Sequence, residues 1–209
     1  MGTRGLYVVQ SDGQYKIAQY GQWDAYPSGQ GVGVCSERLA TAEGRADFKA
    51  KLGNVKFSNN ARELDASRFE REVKDYKPGP TFNQMIKQPY PYAGRDVGSE
   101  IFRLVSDSTG TIVTTDSIDF ANDSLFCEWA YVIDLDEGTL EVFKGFNEKP
   151  LDGYERFTRK RGGNVDEMAS AESPRKSYHP IRLAKRYHLD ALPTKEAFLN
   201  DLTEKDDNR

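Results

Sequence analysis

An aspartate set between two large aromatic residues, in Trp23-Asp24-Ala25-Tyr26-Pro27, is the stretch of this chain most suggestive of chemistry. A carboxylate desolvated by such neighbours holds its proton longer than a free one and can serve as a base or a ligand contact. The same residues also suit a plain structural role, in which Asp24 caps a turn while Trp23 and Tyr26 close one end of the core. Arg4 alternates with Leu6 and Val8 on one face of a strand, so its guanidinium can aim at Asp24 or at an anionic ligand. Arg95-Asp96 and Glu128-Trp129 add a second tier of charge. Arg95 can pair with Asp24 or Glu128, or grip an anion in its two-pronged fork. Asp96, followed by Ser99 and Glu100, sits where a helix N-cap belongs. Candidate ligand contacts are therefore Arg4, Trp23, Asp24, Tyr26, Arg95 and Glu128, and the candidates for catalysis are Thr3 and Asp24.

Other motifs point less sharply. Gly29, Gly31 and Gly33 precede a helical stretch and could cradle an anion with backbone N–H groups, or simply make a flexible turn. Their spacing lacks the third glycine of a dinucleotide fingerprint and the Lys-Ser/Thr of a phosphate loop. The basic run Arg159-Lys160-Arg161-Gly162-Gly163, with Arg156, Arg175 and Lys176, could touch phosphate backbones. No aromatic residues are interleaved with it, so a solvated loop is expected and nucleic-acid binding is not. Cys35 and Cys127, with His179 and His188, give neither zinc spacing nor a nucleophile beside a base. Both thiols are expected free, with Cys127 buried on the face of Trp129 and Tyr131; no metal and no cofactor is expected.

The elements that must position these groups follow from composition and turns. The chain has 209 residues, 29 Lys+Arg against 33 Asp+Glu, and a formal charge of −4. No apolar run approaches the ~20 residues of a membrane span, and Met-Gly-Thr-Arg is not a secretory start, so a soluble, intracellular, cytoplasmic protein is expected. Asp12-Gly13 between residues 3–10 and 14–21 signals a hairpin, and a two-residue turn there pairs Val8 with Ile17, Tyr7 with Ala18 and Gly5 with Tyr20. The same register carries Gly2 to Trp23. Residues 126–134 and 139–144 form a second hairpin around Leu135-Asp136-Glu137-Gly138. Helices are expected over 32–52 and 61–76, from 97 to Gly110, and after Leu192-Pro193-Thr194; a strand is expected over 181–189. The class is α+β, with antiparallel hairpins at both ends of the core and packed helices, an αββα sandwich being one such arrangement. A single domain over 1–203 and a frayed tail over 204–209 complete the outline.

The blocks MGTRGLYVV, YGQWDAYPSGQG, GRDVGSEI and CEWAYVIDLDEGTLEVFKGF resemble a family of uncharacterised, mainly fungal and microbial proteins that open in this way. That resemblance brings no activity with it. In outline, the leading antiparallel hairpin with helices and a late hairpin is similar to the N-terminal-nucleophile hydrolases. Their chemistry uses Cys, Ser or Thr as the first residue, with the free α-amine as base. Here that resemblance implies processing to Thr3, because removal of Met1 alone exposes Gly2. Two functions are thus expected from the sequence. The first is binding of a small ligand or a protein partner at a pocket near the N-terminal strand. The alternative is an amide hydrolase freed at Thr3, with Asp24 or Arg95 positioning the substrate.

Overall fold

Asp12 and Gly13 both adopt left-handed backbone, with φ of 55° and 68°, the conformation a two-residue hairpin turn demands. They join β1 (Gly5–Ser11) to β2 (Gln14–Gly21) antiparallel, in a computed structural model that describes residues 2–35, 37–58, 96–153, 155–158 and 178–203. The pairing begins as the turn dictates, Ser11 opposite Gln14 and Gln10 opposite Tyr15, and then slips at a bulge between Val9 and Gln10. Lys16 is the extra residue. Beyond it Val9 faces Ile17, Val8 faces Ala18 and Gly5 faces Gly21, so the expected register is corrected by one position.

The second hairpin is also antiparallel, from β5 (Trp129–Asp134) to β6 (Thr139–Lys144), and β7 (Arg182–His188) adds antiparallel to β6. The two hairpins meet through a parallel pairing of β1 with β5, which runs from Gly5 opposite Trp129 to Gln10 opposite Asp134. The result is a five-stranded mixed sheet in the order β2-β1-β5-β6-β7. A two-stranded ribbon of β3 (Val55–Phe57) and β4 (Ile112–Thr114) forms a second sheet, tied to β2 by the Thr114 hydroxyl, which donates to Gln19 Oε1 at 2.8 Å. The α+β class is as expected; among the described residues the strands form this one large sheet and the ribbon, and not a stacked pair of sheets.

Both faces of the sheet are covered, which is why β1 and β5 read as nearly continuous apolar runs. On one face Tyr7, Val9, Tyr131 and Ile133 pack beneath α3 (Ala42–Leu52), α4 (Glu100–Asp107) and α5 (Lys195–Thr203), whose Phe48, Ile101 and Phe198 are buried there. On the other, Leu6, Val8, Ala130 and Val132 meet Ile118, Phe157 and Ile181. Thr194 opens α5, its hydroxyl accepting from the Ala197 N–H at 3.2 Å.

Two further expectations need correction. The helix over 32–52 is three pieces, α1 (Val32–Val34), α2 (Glu37–Ala40) and α3. Thr41 breaks it, with extended backbone (φ −105°, ψ 150°) and a hydroxyl that accepts from the Gly44 N–H at 3.1 Å. Cys127 is buried and unlinked as expected, but it faces the core of Leu6 and Val132, opposite Tyr131. The cause is that β5 starts only at Trp129: residues before it form a turn in which the Cys127 N–H donates to the Asp123 carbonyl at 2.7 Å. Arg95, the expected helix over 61–76, the run Arg159–Gly163, Arg175, Lys176 and the tail 204–209 lie outside the described residues. No helix among the described residues is long and apolar enough to cross a membrane.

Candidate functional site

Because β1 and β5 run parallel, their N-terminal ends bring the chain start, the turn after β2 and the segment before β5 to one end of the sheet. The Ala25 N–H donates to the Thr3 carbonyl at 3.1 Å, which lays the turn over the chain start. A Cβ placed on Gly2 would stand 2.1 Å from Trp23 Cε3, so the backbone at Gly2 runs directly against the indole; the contact is the expected one, although the register that suggested it is off by one. The indole N–H donates to Asp96 Oδ1 at 2.7 Å. Gln30 spans the same region: its Nε2 donates to the Trp23 carbonyl at 2.9 Å, and its Oε1 accepts from the Ser99 N–H at 2.7 Å, at the start of α4. The buried Tyr131 hydroxyl donates to the Ala25 carbonyl at 2.7 Å. Trp23 and Tyr26 nevertheless remain 43% and 40% exposed.

Asp24 occupies the left-handed region at φ 54°, which aspartate tolerates better than most side chains. Its carboxylate is solvent-exposed, so the desolvation expected of it is not there. Its Oδ1 accepts from the Tyr26 hydroxyl at 3.4 Å. Of the two roles open to the glycines, the turn is the one the backbone takes. The N–H groups of Gly29 and Gly31 donate to the Tyr26 carbonyl and that of Gln30 to the Asp24 carbonyl, in a kinked turn (Pro27–Gly31) that leads into the three-residue α1. Nor does Asp96 cap α4, whose N-cap is Ser99. It accepts from Trp23 instead.

Arg4 turns away from Asp24. It shares a strand face with Leu6 and Val8, whereas Ala25 packs with Tyr7 and Val9 in the opposite core. The guanidinium lies 4.5 Å above the Phe126 ring, with Nε 3.8 Å from Glu128 Oε1, and the Arg4 backbone N–H donates to that same oxygen at 3.2 Å. Glu128 is thus paired with Arg4. Thr3 is half-buried, with its carbonyl engaged by Ala25. The same end exposes Leu125, Phe126 and, on the segment after β6, Phe146, which is 51% exposed and held at φ 54°. A bulky residue rarely adopts that conformation.

At the other end of β1 is a charged cluster that sequence reasoning missed. Arg156 Nη2 donates to Asp134 Oδ2 and Nε to Glu141 Oε2, each at 2.5 Å, and Nη1 donates to Gln10 Oε1. Arg186 reaches the other Glu141 oxygen at 2.7 Å through Nη2. Both carboxylates are buried. Burial works against the charge of Arg156, but the hydrogen bonds it donates to Glu141 and Asp134 outweigh that and keep the guanidinium protonated. Arg156 is therefore committed to the fold and does not extend the basic run toward a phosphate backbone. The available signal was Glu141 itself, a charge inside the apolar strand Thr139–Lys144.

Among the described residues no group of three or more His, Cys, Asp and Glu could hold a metal ion. Tyr7 stacks on Tyr131 with ring centroids 5.7 Å apart, and burial pushes both phenols up. No family model, no curated protein and no solved structure matches the chain.

Proposed function

We propose that the protein is a binding module that recognises a protein partner through the end of the sheet where β1 and β5 begin. One observation carries this reading. The large apolar side chains left exposed among the described residues, Trp23, Tyr26, Leu125, Phe126 and Phe146, all belong to segments at that single end. Scattered exposed apolar residues need no explanation, but rings gathered at one place mark a contact surface. Aromatic anchors with a polar rim are the composition of protein interfaces, and the Arg4–Glu128 pair supplies such a rim. The rings flank both cores of the sheet, a span that suits a peptide or protein surface better than one small molecule. The hydrogen bonds around Trp23 and Ala25 hold the turn before any partner arrives, which lowers the ordering cost of binding.

Selection of peptides from a random displayed library tests the proposal. Binders should lose at least roughly ten-fold in affinity on Trp23→Ala or Phe126→Ala, as anchor residues do. Failure to enrich any peptide, or binding indifferent to both substitutions, would overturn it. The amide-hydrolase alternative needs a mature chain that begins at Thr3 and so lacks the glycine beneath Trp23. Intact-mass measurement of the purified protein decides that point, and a chain retaining Gly2 favours the binding module.

A further inference from the structure

We infer that the Trp23-Asp24-Tyr26 corner receives a cationic side chain, lysine or arginine, from the partner. The inference rests on the binding-module reading and names the chemistry of one contact within it. The protein twice builds a combination of aromatic ring, carboxylate and cation from its own residues. In the first, Arg4 lies 4.5 Å above Phe126 and 3.8 Å from Glu128. In the second, Lys185 Nζ stands 5.8 Å from the Tyr187 ring centroid and 3.0 Å from Asp201 Oδ2, and the Tyr187 hydroxyl donates to that same carboxylate oxygen at 3.1 Å.

The corner at Asp24 repeats the second arrangement up to its last member. The Tyr26 hydroxyl donates to Asp24 Oδ1 at 3.4 Å, and the exposed Trp23 directly precedes Asp24 in the same turn. Among the described residues, no cation reaches the Asp24 carboxylate or lies over the Trp23 or Tyr26 ring. The other tryptophan, Trp129, has Lys144 Nζ 5.7 Å from its ring. A ring face attracts a cation through its quadrupole, most strongly for tryptophan, and an adjacent carboxylate adds to that attraction. The indole is also held in place before binding, by Asp96 at its N–H and by Gln30 at its carbonyl. The Tyr26–Asp24 pair and the indole are thus exposed, with the indole fixed, and a positive charge from the partner completes the set.

Nitrogen-15-labelled protein titrated with N-acetyl-lysine amide and N-acetyl-arginine amide tests this at constant ionic strength. N-acetyl-norleucine amide serves as the uncharged control. Assignment of the Trp23 indole N–H comes from its disappearance in Trp23→Phe. The expected result is saturable movement of that resonance and of the residue 24–26 amides with both cations, at least ten-fold tighter than with norleucine amide. Asp24→Asn keeps a residue that tolerates the left-handed backbone and should weaken the cations at least ten-fold. Norleucine amide binding as well as the cations, no movement with any probe, or cation binding unchanged in Asp24→Asn would each overturn the inference. The two readings fail separately. Peptides that bind at Trp23 and Phe126 without a basic residue sink the cation and keep the surface, whereas peptides indifferent to both substitutions sink the surface.

Discussion

The indole nitrogen of Trp23 and Oδ1 of Asp96 stand 2.7 Å apart although 73 positions separate them in the chain. This bond ties the turn after β2 to the approach to α4, and it leaves the indole exposed while fixing it. Asp96→Ala should therefore loosen the ring more than it destabilises the fold. The expected loss is about 1 kcal/mol in urea unfolding, the usual net worth of one hydrogen bond. Peptides selected on the native protein should dissociate faster from this variant, as surface plasmon resonance will show; an unchanged off-rate would mean that the bond does not organise the site.

Asp24 separates charge from backbone geometry. Asp24→Asn removes the charge and preserves a side chain suited to φ 54°, so the melting temperature should hardly move. Asp24→Val places a branched side chain in the left-handed region and should cost about 1–2 kcal/mol. Thermal melts of the two variants, beside their peptide affinities, distinguish a recognition carboxylate from one that merely shapes the turn. A melting temperature lowered in Asp24→Asn with affinity intact retires the site.

The buried cluster behaves differently. Arg156→Met leaves the Asp134 and Glu141 carboxylates buried without the guanidinium between them. Removal of one member of such a pair costs about 3–5 kcal/mol. Replacement of Arg156, Asp134 and Glu141 together by apolar residues of similar size should recover most of that loss. Denaturant midpoints of the single and triple variants check the pattern, and a single variant as stable as the native chain contradicts it.

Acid should weaken the contact where the two hairpin turns meet. The Asp136 carboxylate accepts from the Gly13 N–H at 2.9 Å and from the Asp12 N–H at 2.7 Å, and the Gly13 bond leads in holding its carboxyl below the ordinary range. Lys49 does the same for Asp12, at 3.0 Å. A carboxyl lowered by folding contributes its stability in full above the ordinary carboxylate range and loses it as pH falls below that range, through the lowered value. Asp136→Asn should accordingly flatten the fall in melting temperature below about pH 4, in the range where free carboxyls titrate. An acid limb as steep as the native one would exclude the turn contact as its source.

Both hairpins were legible because each is closed by a short glycine-containing turn flanked by strand-forming residues. The bulge at Lys16 was not, since nothing local distinguishes it from a neighbouring strand residue. That one-position slip, and the late start of β5, are what moved Gly5 from Tyr20 to Gly21 and Cys127 to the other core. The candidate site was half legible for a related reason. Contacts that follow from the first hairpin, Gly2 with Trp23 and Thr3 with Ala25, lie close in register. Arg4 with Glu128, and Gln10 with Arg156, depend on the parallel pairing of β1 with β5 and on the segment that crosses β6, which local pattern does not encode.

The thiols give the plainest test of the corrected cores. Cys127 is wholly enclosed and desolvation pushes its thiol far up; Cys35 is half-buried and pushed up to about 11 for the same reason. Neither should react quickly with a disulfide reagent at pH 8, and Cys35 should react first because it is the more accessible. Mass spectrometry of the labelled protein assigns the order. Labelling of Cys127 at the unfolded rate in native buffer would rule out the packing described.

The parallel seam between β1 and β5 also sets a schedule. Gly5 lies beside Trp129, and the Arg4–Glu128 contact next to it spans 124 positions, so the centre of the sheet cannot close until most of the chain has been made. The β1–β2 hairpin, by contrast, is local and can form soon after residue 21 emerges. During synthesis it must wait with Leu6, Tyr7 and Val8 uncovered and the long edge of β1 unpaired, the kind of surface that invites misassociation. Closure of so long a loop before its contacts can reward it makes for slow folding. Chain order alone thus makes β1 wait across 124 positions for its second permanent neighbour.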